Sequence, residues 1–172
     1  MHNSLTISIP TSGLIICGPR CPGGEFPQAV AKLSRATGYP ILADPLSGVR
    51  WGEWVAETAV LGGYESFLGR DSDPDWPEPE IVIRFGQVPT SKWLNAYLER
   101  IRPEVRLHVR GNGQWADDAH QTTHFWEADE VAACEALASQ LVSLSASQPV
   151  SLSASQLASQ SAIRIPHSAM NR

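Results

Sequence analysis

Lysine is scarce in this chain of 172 residues, with only Lys32 and Lys92, and the 13 Lys and Arg are outnumbered by 18 Asp and Glu for a formal net charge of -5. No acid occurs after Glu135, whereas Arg164 and Arg172 lie beyond it, so the part up to Glu135 is more acidic than the whole. A nucleic-acid surface needs clustered Lys and Arg to neutralise phosphates, and this balance argues against one. Long apolar runs are also missing: none reaches the ~20 residues of a membrane span. The start MHNSLTISIP has neither the basic flank nor the apolar core of a secretory signal. A cytoplasmic protein is therefore expected. Three cysteines, Cys17, Cys21 and Cys134, are odd in number and widely spaced. They read as free thiols in a reducing compartment, with Cys17 and Cys134 as small hydrophobes.

Several catalytic signatures are absent too. The sequence contains no G-x-G-x-x-G, no Walker loop and no G-x-S-x-G elbow. The loop GPRCPGGEF has the glycines of a phosphate cradle but a proline interrupts its row of amides. A plain strand-to-helix turn is the better reading, with cofactor binding the weaker one. His108, His120 and His124 suggest metal ligands at first sight. Residues 122–126 look like a strand, however, and residues four apart on a strand are separated by roughly 13 Å. No metal site is expected. Asp117 and Asp118 are neighbours, and adjacent residues on an extended chain face opposite ways, so they do not pair as acid and base. No nucleophile-and-base set is visible, and no catalytic residue is assigned.

What is present is an alternation of short apolar runs and helical periodicity. Leu14 to Cys17 is wholly apolar, as in a strand buried on both faces of a parallel sheet. Phe26 to Thr37 has helical spacing with Pro27 near its start and Gly38 just past its end. Pro40 to Ala43 is the next strand. Glu57 to Leu68 reads as a glycine-interrupted helical stretch, and DSDPDWPEPE as a surface loop. Ile81 to Phe85 is the third strand. Trp93, Leu94, Tyr97, Leu98 and Ile101 mark one face of a helix that Thr90 or Ser91 can cap. Val105 to Val109 and Thr122 to Trp126 are further strands, and Asp129 to about Leu141 is an Ala-rich helix. This order predicts an α/β three-layer sandwich with a Rossmann-like, mostly parallel central sheet. Residues 1–11 read as a linker or edge strand and 12–141 as the domain. VSLSASQ at Val142 to Gln148 recurs letter for letter at Val150 to Gln156. So Ser-rich a segment buries little apolar surface, and 142–172 read as a low-complexity tail whose Leu, Ala and Val can prolong the last helix.

Two passages put polar residues straight after a buried strand, ILADPLSGVR (Ile41 to Arg50) and IVIRFGQVPTSKWL (Ile81 to Leu94). That edge of an open α/β sheet is where ligands bind. Asp44 reads as structural, its side chain bonding amides of the turn Pro45 to Gly48. Lys92 falls in the first turn of a helix, where the macrodipole disfavours a cation by about 0.3–1 kcal/mol. A nearby anion would explain it, with the Thr90 and Ser91 region and its unpaired amides completing a carboxylate site.

The blocks GLIICG, GYPILADPLSGVR, PEIVIRFGQVPTSKWLNAYL and GNGQWADDAH, in this order, resemble the central domain of the 2-succinyl-5-enolpyruvyl-6-hydroxy-3-cyclohexene-1-carboxylate (SEPHCHC) synthase family, over about Gly13 to Leu137. The resemblance implies a thiamine-diphosphate-dependent transferase of menaquinone and phylloquinone biosynthesis. Such an enzyme adds the succinyl-semialdehyde carbanion from 2-oxoglutarate to isochorismate, with Mg holding the diphosphate. It also implies a substrate-binding cation at Lys92, beside Ser91 and Thr90, and a structural or interdomain role for Asp44, Ser47 and Arg50. Trp93 stands where some members have a second basic residue. The activating glutamate and the metal motif belong to two flanking domains of the family, which this sequence does not match. The expectation is that the chain alone binds no cofactor and is inactive, that its partners are the remaining domains of the synthase, and that the complete enzyme is a homo-oligomer. An ADP- or FAD-binding module using GPRCPGG, and a purely structural or assembly domain, are the alternatives.

Overall fold

The computed structural model describes residues 10–68, 78–113, 117 and 119–146, the last six of these by backbone only. Six strands form one sheet: β1 (Gly13–Cys17), β2 (Ile41–Ala43), β3 (Val60–Leu61), β4 (Ile81–Phe85), β5 (Val105–Val109) and β6 (His124–Trp126). Their order across the sheet is β3-β2-β1-β4-β5-β6, and every pairing is parallel. The helices are α1 (Phe26–Thr37), α2 (Glu65–Leu68), α3 (Lys92–Arg100) and α4 (Glu130–Ala146).

Strand alternation sends successive side chains to opposite faces, so a central parallel strand must be apolar on both. On one side Ile15, Cys17, Ile41, Ala43, Ile81, Ile83, Phe85, Leu107 and Val109 meet Phe26, Val30 and Leu33 of α1 and Cys134 and Leu137 of α4. On the other, Leu14, Ile16, Leu42 and Val82 meet Tyr64 and the α3 side chains Leu94, Tyr97 and Leu98, with Ile101 just beyond. The result is the expected three-layer α/β sandwich with a parallel central sheet.

Local signals explain the helix ends. Proline occupies an early position of α1, and Gly38 closes it in the left-handed region at φ 74°, its amide donating to Ser34 O. Ser91 caps α3, its hydroxyl accepting from the Leu94 amide. Asp129 does the same for α4 through Oδ1 and the Ala132 amide at 2.9 Å.

Two expectations are corrected. The stretch 57–68 is not one helix: a short 3-10 turn at Glu53–Glu57 leads into β3, whose two residues pair with β2, and only Glu65–Leu68 is helical. Two residues carry no readable period, and Gly62 and Gly63 break the helix that the flanks suggest. Ile81–Phe85 is in consequence the fourth strand. Trp93 is not on the buried face of α3; it is 42% exposed, because Leu94, Tyr97, Leu98 and Ile101 complete the i, i+3, i+4, i+7 series and 93 falls one step outside it. The last helix, α4, continues to Ala146, a prolongation into the Ser-rich segment of the kind its Leu, Ala and Val allow. The rest of the Ser-rich repeat, the segment 1–9 and Asp118 lie outside the described residues.

Ile83 is fully buried at the centre of the sheet, paired with Ile15 and Leu107. Ile83→Ala is expected to destabilise the domain by about 2–5 kcal/mol in urea unfolding, the range for cavity-forming core truncations.

Candidate functional site at the carboxyl edge of the sheet

Parallel strands deliver all their following loops to one edge, and here three of these loops are locked together. The strand order reverses between β1 and β4, the place where open α/β sheets usually leave a crevice. In this chain the crevice is filled by backbone. Gly18 donates its amide to Phe85 O at 2.9 Å and the Gln87 amide donates to Pro19 O at 2.8 Å. A Cβ on Gly18 would fall 1.9 Å from Gln87 O, and one on Gly86, where φ is +76°, 2.6 Å from Pro19 O. Only glycine permits this approach at both positions.

The second lock is Asp44, which leaves β2 fully buried. Its Oδ1 accepts from the Leu46 amide at 2.9 Å, which is the turn contact expected from the sequence. Its Oδ2 reaches across to the loop after β4, accepting from the Thr90 amide at 2.8 Å and the Thr90 hydroxyl at 2.7 Å. Ser47 tightens the same turn, its hydroxyl donating to Asp44 O at 2.7 Å and accepting from the Val49 amide at 3.2 Å. Gly48 takes the left-handed conformation at φ 74° that the turn requires. Arg50 folds back so that Nε donates to Ala43 O at 2.8 Å, with its guanidinium 5.9 Å from the Tyr64 ring centre. These contacts give Asp44, Ser47 and Arg50 work within the domain.

Thr90, Ser91 and Lys92 are contiguous, but the structure sorts them. The Thr90 hydroxyl and amide are committed to Asp44, and the Ser91 hydroxyl to the α3 cap. Lys92 is the first residue of α3 and is exposed, its Nζ 4.7 Å from the centre of the Trp93 ring. Asn95, which the sequence reading passed over, fixes the turn from below by donating from Nδ2 to Pro89 O at 2.8 Å. An Asn one turn into a helix that follows a proline loop is the signal that could have found it. Leu46 and Trp51, 66% and 82% exposed, stand on the β2 loop. The edge thus presents the exposed cations Arg20 and Lys92 and apolar side chains on a rigid frame.

A second concavity of about 180 Å³ lies between β4, β5, α3 and the segment before β6, lined by Arg84, Arg106, His108, Asp117 and Thr122 among others. Most of its polar groups are engaged. Arg84 pairs with Asp117 at 3.5 Å, and Arg106 donates to Leu98 O and Ile101 O at the end of α3. His108 Nε2 lies 3.1 Å from Gly86 O, so that nitrogen carries the proton. Burial, then the positive charge of Arg84, lower the His108 pKa from 6.5 to about 4. Burial pushes the Asp117 carboxyl up, but bonds from Thr122 and the charge of Arg84 outweigh it and hold the group below its ordinary value. Among the described residues no three His, Cys, Asp or Glu side chains are grouped so as to hold a metal ion, and none of the helices is long and apolar enough to cross a membrane.

A parallel α/β sheet with three loops clasped at its carboxyl edge defines a Rossmann-like domain. A family model described as "Middle domain of thiamine pyrophosphate" matches residues 1–164, and the chain belongs to that family. Its relatives include 2-succinyl-5-enolpyruvyl-6-hydroxy-3-cyclohexene-1-carboxylate synthases. Identity is 51% over 129 residues with that of Roseiflexus sp. (strain RS-1) and 53% over 129 residues with that of Roseiflexus castenholzii, each match covering 75% of this chain and 21% of the relative. For Haloquadratum walsbyi it is 42% over 128 residues, covering 74% and 20%. The chain therefore spans about a fifth of the length of these curated relatives.

Thiamine diphosphate, the cofactor that the family implies, does not fit this edge. A diphosphate needs hydrogen-bond donors and a metal; the Gly18 and Arg20 amides are spent on Phe85 O and Leu46 O, and the carbonyls of Gly18, Pro19 and Gln87 crowd the crevice. No catalytic step through the cofactor is assigned to these residues.

Two outcomes are expected. Asp44→Ala strands the Leu46 amide and both Thr90 donors, and should cost about 3 kcal/mol in unfolding free energy, the scale of a bond to a charged group. His108 is neutral when folded and binds a proton more readily when unfolded. Stability is complete above pH 6.5 and falls between 6.5 and about 4, by on the order of 3 kcal/mol for a shift of this size. Urea titrations across that window should show the loss, and His108→Gln should flatten it.

Proposed function

We propose that this chain supplies the middle domain of a SEPHCHC synthase and that Lys92 presents a positive charge to the carboxylates of the substrates. The observation that carries the reading is the placement of Lys92 at the first position of α3, exposed at the carboxyl edge and held by the Asp44–Thr90 clamp. A cation at a helix start sits against the macrodipole, and a bound anion turns that cost into a gain because helix amides and ammonium then act together. In the complete enzyme, 2-oxoglutarate is decarboxylated on thiamine diphosphate and the resulting carbanion adds to isochorismate. Both substrates are dicarboxylates, so a fixed cation near the reacting centre orients them and offsets charge repulsion between them. Thiamine diphosphate and Mg are held by the flanking pyrimidine- and diphosphate-binding domains in this reading, and the chain by itself is inactive. The assembled enzyme is a cytoplasmic homo-oligomer.

Arg50, Asp44 and Ser47 serve the frame that carries Lys92, and Trp51 and Leu46 face the neighbouring domains. The Gly18 and Arg20 amides of the GPRCPGG loop are already spent on Phe85 O and Leu46 O, which weighs against an ADP or FAD site there.

The test joins this domain to the two flanking domains of a relative and compares wild type with Lys92→Ala. Loss of one charge-assisted bond is expected to lower kcat/KM for 2-oxoglutarate, isochorismate or both by about 1.5–3 kcal/mol, with unfolding free energy unchanged. Unchanged specificity constants for both substrates would remove Lys92 from the site.

A further inference from the structure

The three cysteines are far apart in sequence but not in space. Cys17 ends β1 and Cys134 lies in α4, both fully buried in the core on the α1 side, and Cys21 packs against that same cluster. The segment between Cys17 and Cys21 is a tight turn: Pro19 fixes one φ, and Arg20 takes the left-handed region at φ 57°. That turn folds Cys21 back over the end of β1, its thiol donating to Gly18 O at 3.3 Å. The Cys21 sulfur thus sits on the carbonyl of the residue next to Cys17, against the core cluster to which Cys17 belongs. Of the three sulfurs only that of Cys21 belongs to a residue with solvent access. Neither the cofactor chemistry of the family nor the Lys92 edge uses any of them.

We propose that Cys17 and Cys21 form an oxidant-sensitive thiol pair, with Cys21 the site of attack and Cys17 the resolving thiol. A hydroperoxide supplies the oxidising equivalents. The Cys21 sulfur attacks one peroxide oxygen, the O–O bond breaks, and the Cys21 proton leaves with the other oxygen as water or alcohol. The product is a sulfenic acid. The Cys17 sulfur then attacks the Cys21 sulfur, the S–S bond forms as the S–O bond breaks, and hydroxide departs with the Cys17 proton as water. Two thiols are oxidised and one hydroperoxide is reduced. Cys17 and Cys134 are closed to solvent, so neither is an entry point for the oxidant.

The pair is placed where a crosslink has consequences. Gly18 and Pro19, between the two sulfurs, are bonded to Phe85 and Gln87 at the start of the loop that carries Lys92. The Cys21 sulfur also lies against Gly86, 2.9 Å from where a Cβ would be. Drawing Cys21 onto Cys17 moves atoms that both loops share.

The full chain, reduced and then treated with hydrogen peroxide, should lose two hydrogens in intact mass and regain them with dithiothreitol. Trypsin cleaves after Arg20, between the two cysteines, so the Cys17 and Cys21 peptides should remain joined until reduced. Cys21→Ser alters a partly exposed side chain and should abolish the mass loss, whereas Cys134→Ser should keep the crosslink. In Cys17→Ala, Cys21 should be trapped by dimedone as a sulfenic acid. Stable oxygen addition at Cys21 with no joined peptides, or a crosslink from Cys21 to Cys134 instead, would overturn the assignment.

Discussion

The buried carboxylate of Asp44 is the contact on which the working edge of this domain depends. A carboxylate removed from water must have its lone pairs satisfied or be neutralised. Here three donors do so, one in its own turn and two on Thr90, 46 residues further along the chain. The desolvation cost is met only when the loops after β2 and β4 are together. That requirement turns two surface loops, which would ordinarily move independently, into one rigid ledge. Lys92 stands at the end of that ledge, so its position is set by a residue on a different strand.

Close backbone approach at the strand-order reversal is the complementary constraint. Two glycines, Gly18 and Gly86, let the loops after β1 and β4 touch through their carbonyls and amides, so the crevice of a nucleotide-binding sheet is consumed by the fold itself. The sheet keeps the topology of a dinucleotide-binding domain while its edge offers side chains rather than a phosphate cradle. This division suits a middle domain that shapes a site completed by others, which is the role proposed above. The loop after β1 also carries Cys21, the thiol proposed above as the point of oxidation.

On the α3 side the polar groups serve the sheet. Arg106 closes the carboxyl end of α3, and Arg84 and Asp117 hold the segment before β6 against β4. His108, buried beside Arg84, stays neutral and anchors Gly86 O. Asp117 and His108, to which the sequence reading assigned neither catalysis nor metal binding, are held by their neighbours as struts.

The layers, the parallel sheet and most helix ends were legible in the amino-acid sequence, because they follow from local periodicity and from single residues such as Pro27, Gly38 and Ser91 whose effects extend over a few positions. The polar residues that follow two buried strands also put Lys92 and the polar turns at the carboxyl edge of the sheet. Three things were not legible. The strand Val60–Leu61 is defined by its partner β2 and has no pattern of its own, so only pairing reveals it. The commitment of Thr90 to Asp44 joins residues whose sequence separation hides them from any local rule. Cys17, Cys21 and Cys134 gave no sign of proximity, since a strand end, a turn and a distant helix meet only when α4 packs beside α1 on the sheet. The sequence determined which elements form and where their polar ends point; the tertiary structure decided which of those ends spend their hydrogen bonds on one another and which remain free to act, because satisfying a buried donor or charge is a matter of distance in space and not along the chain.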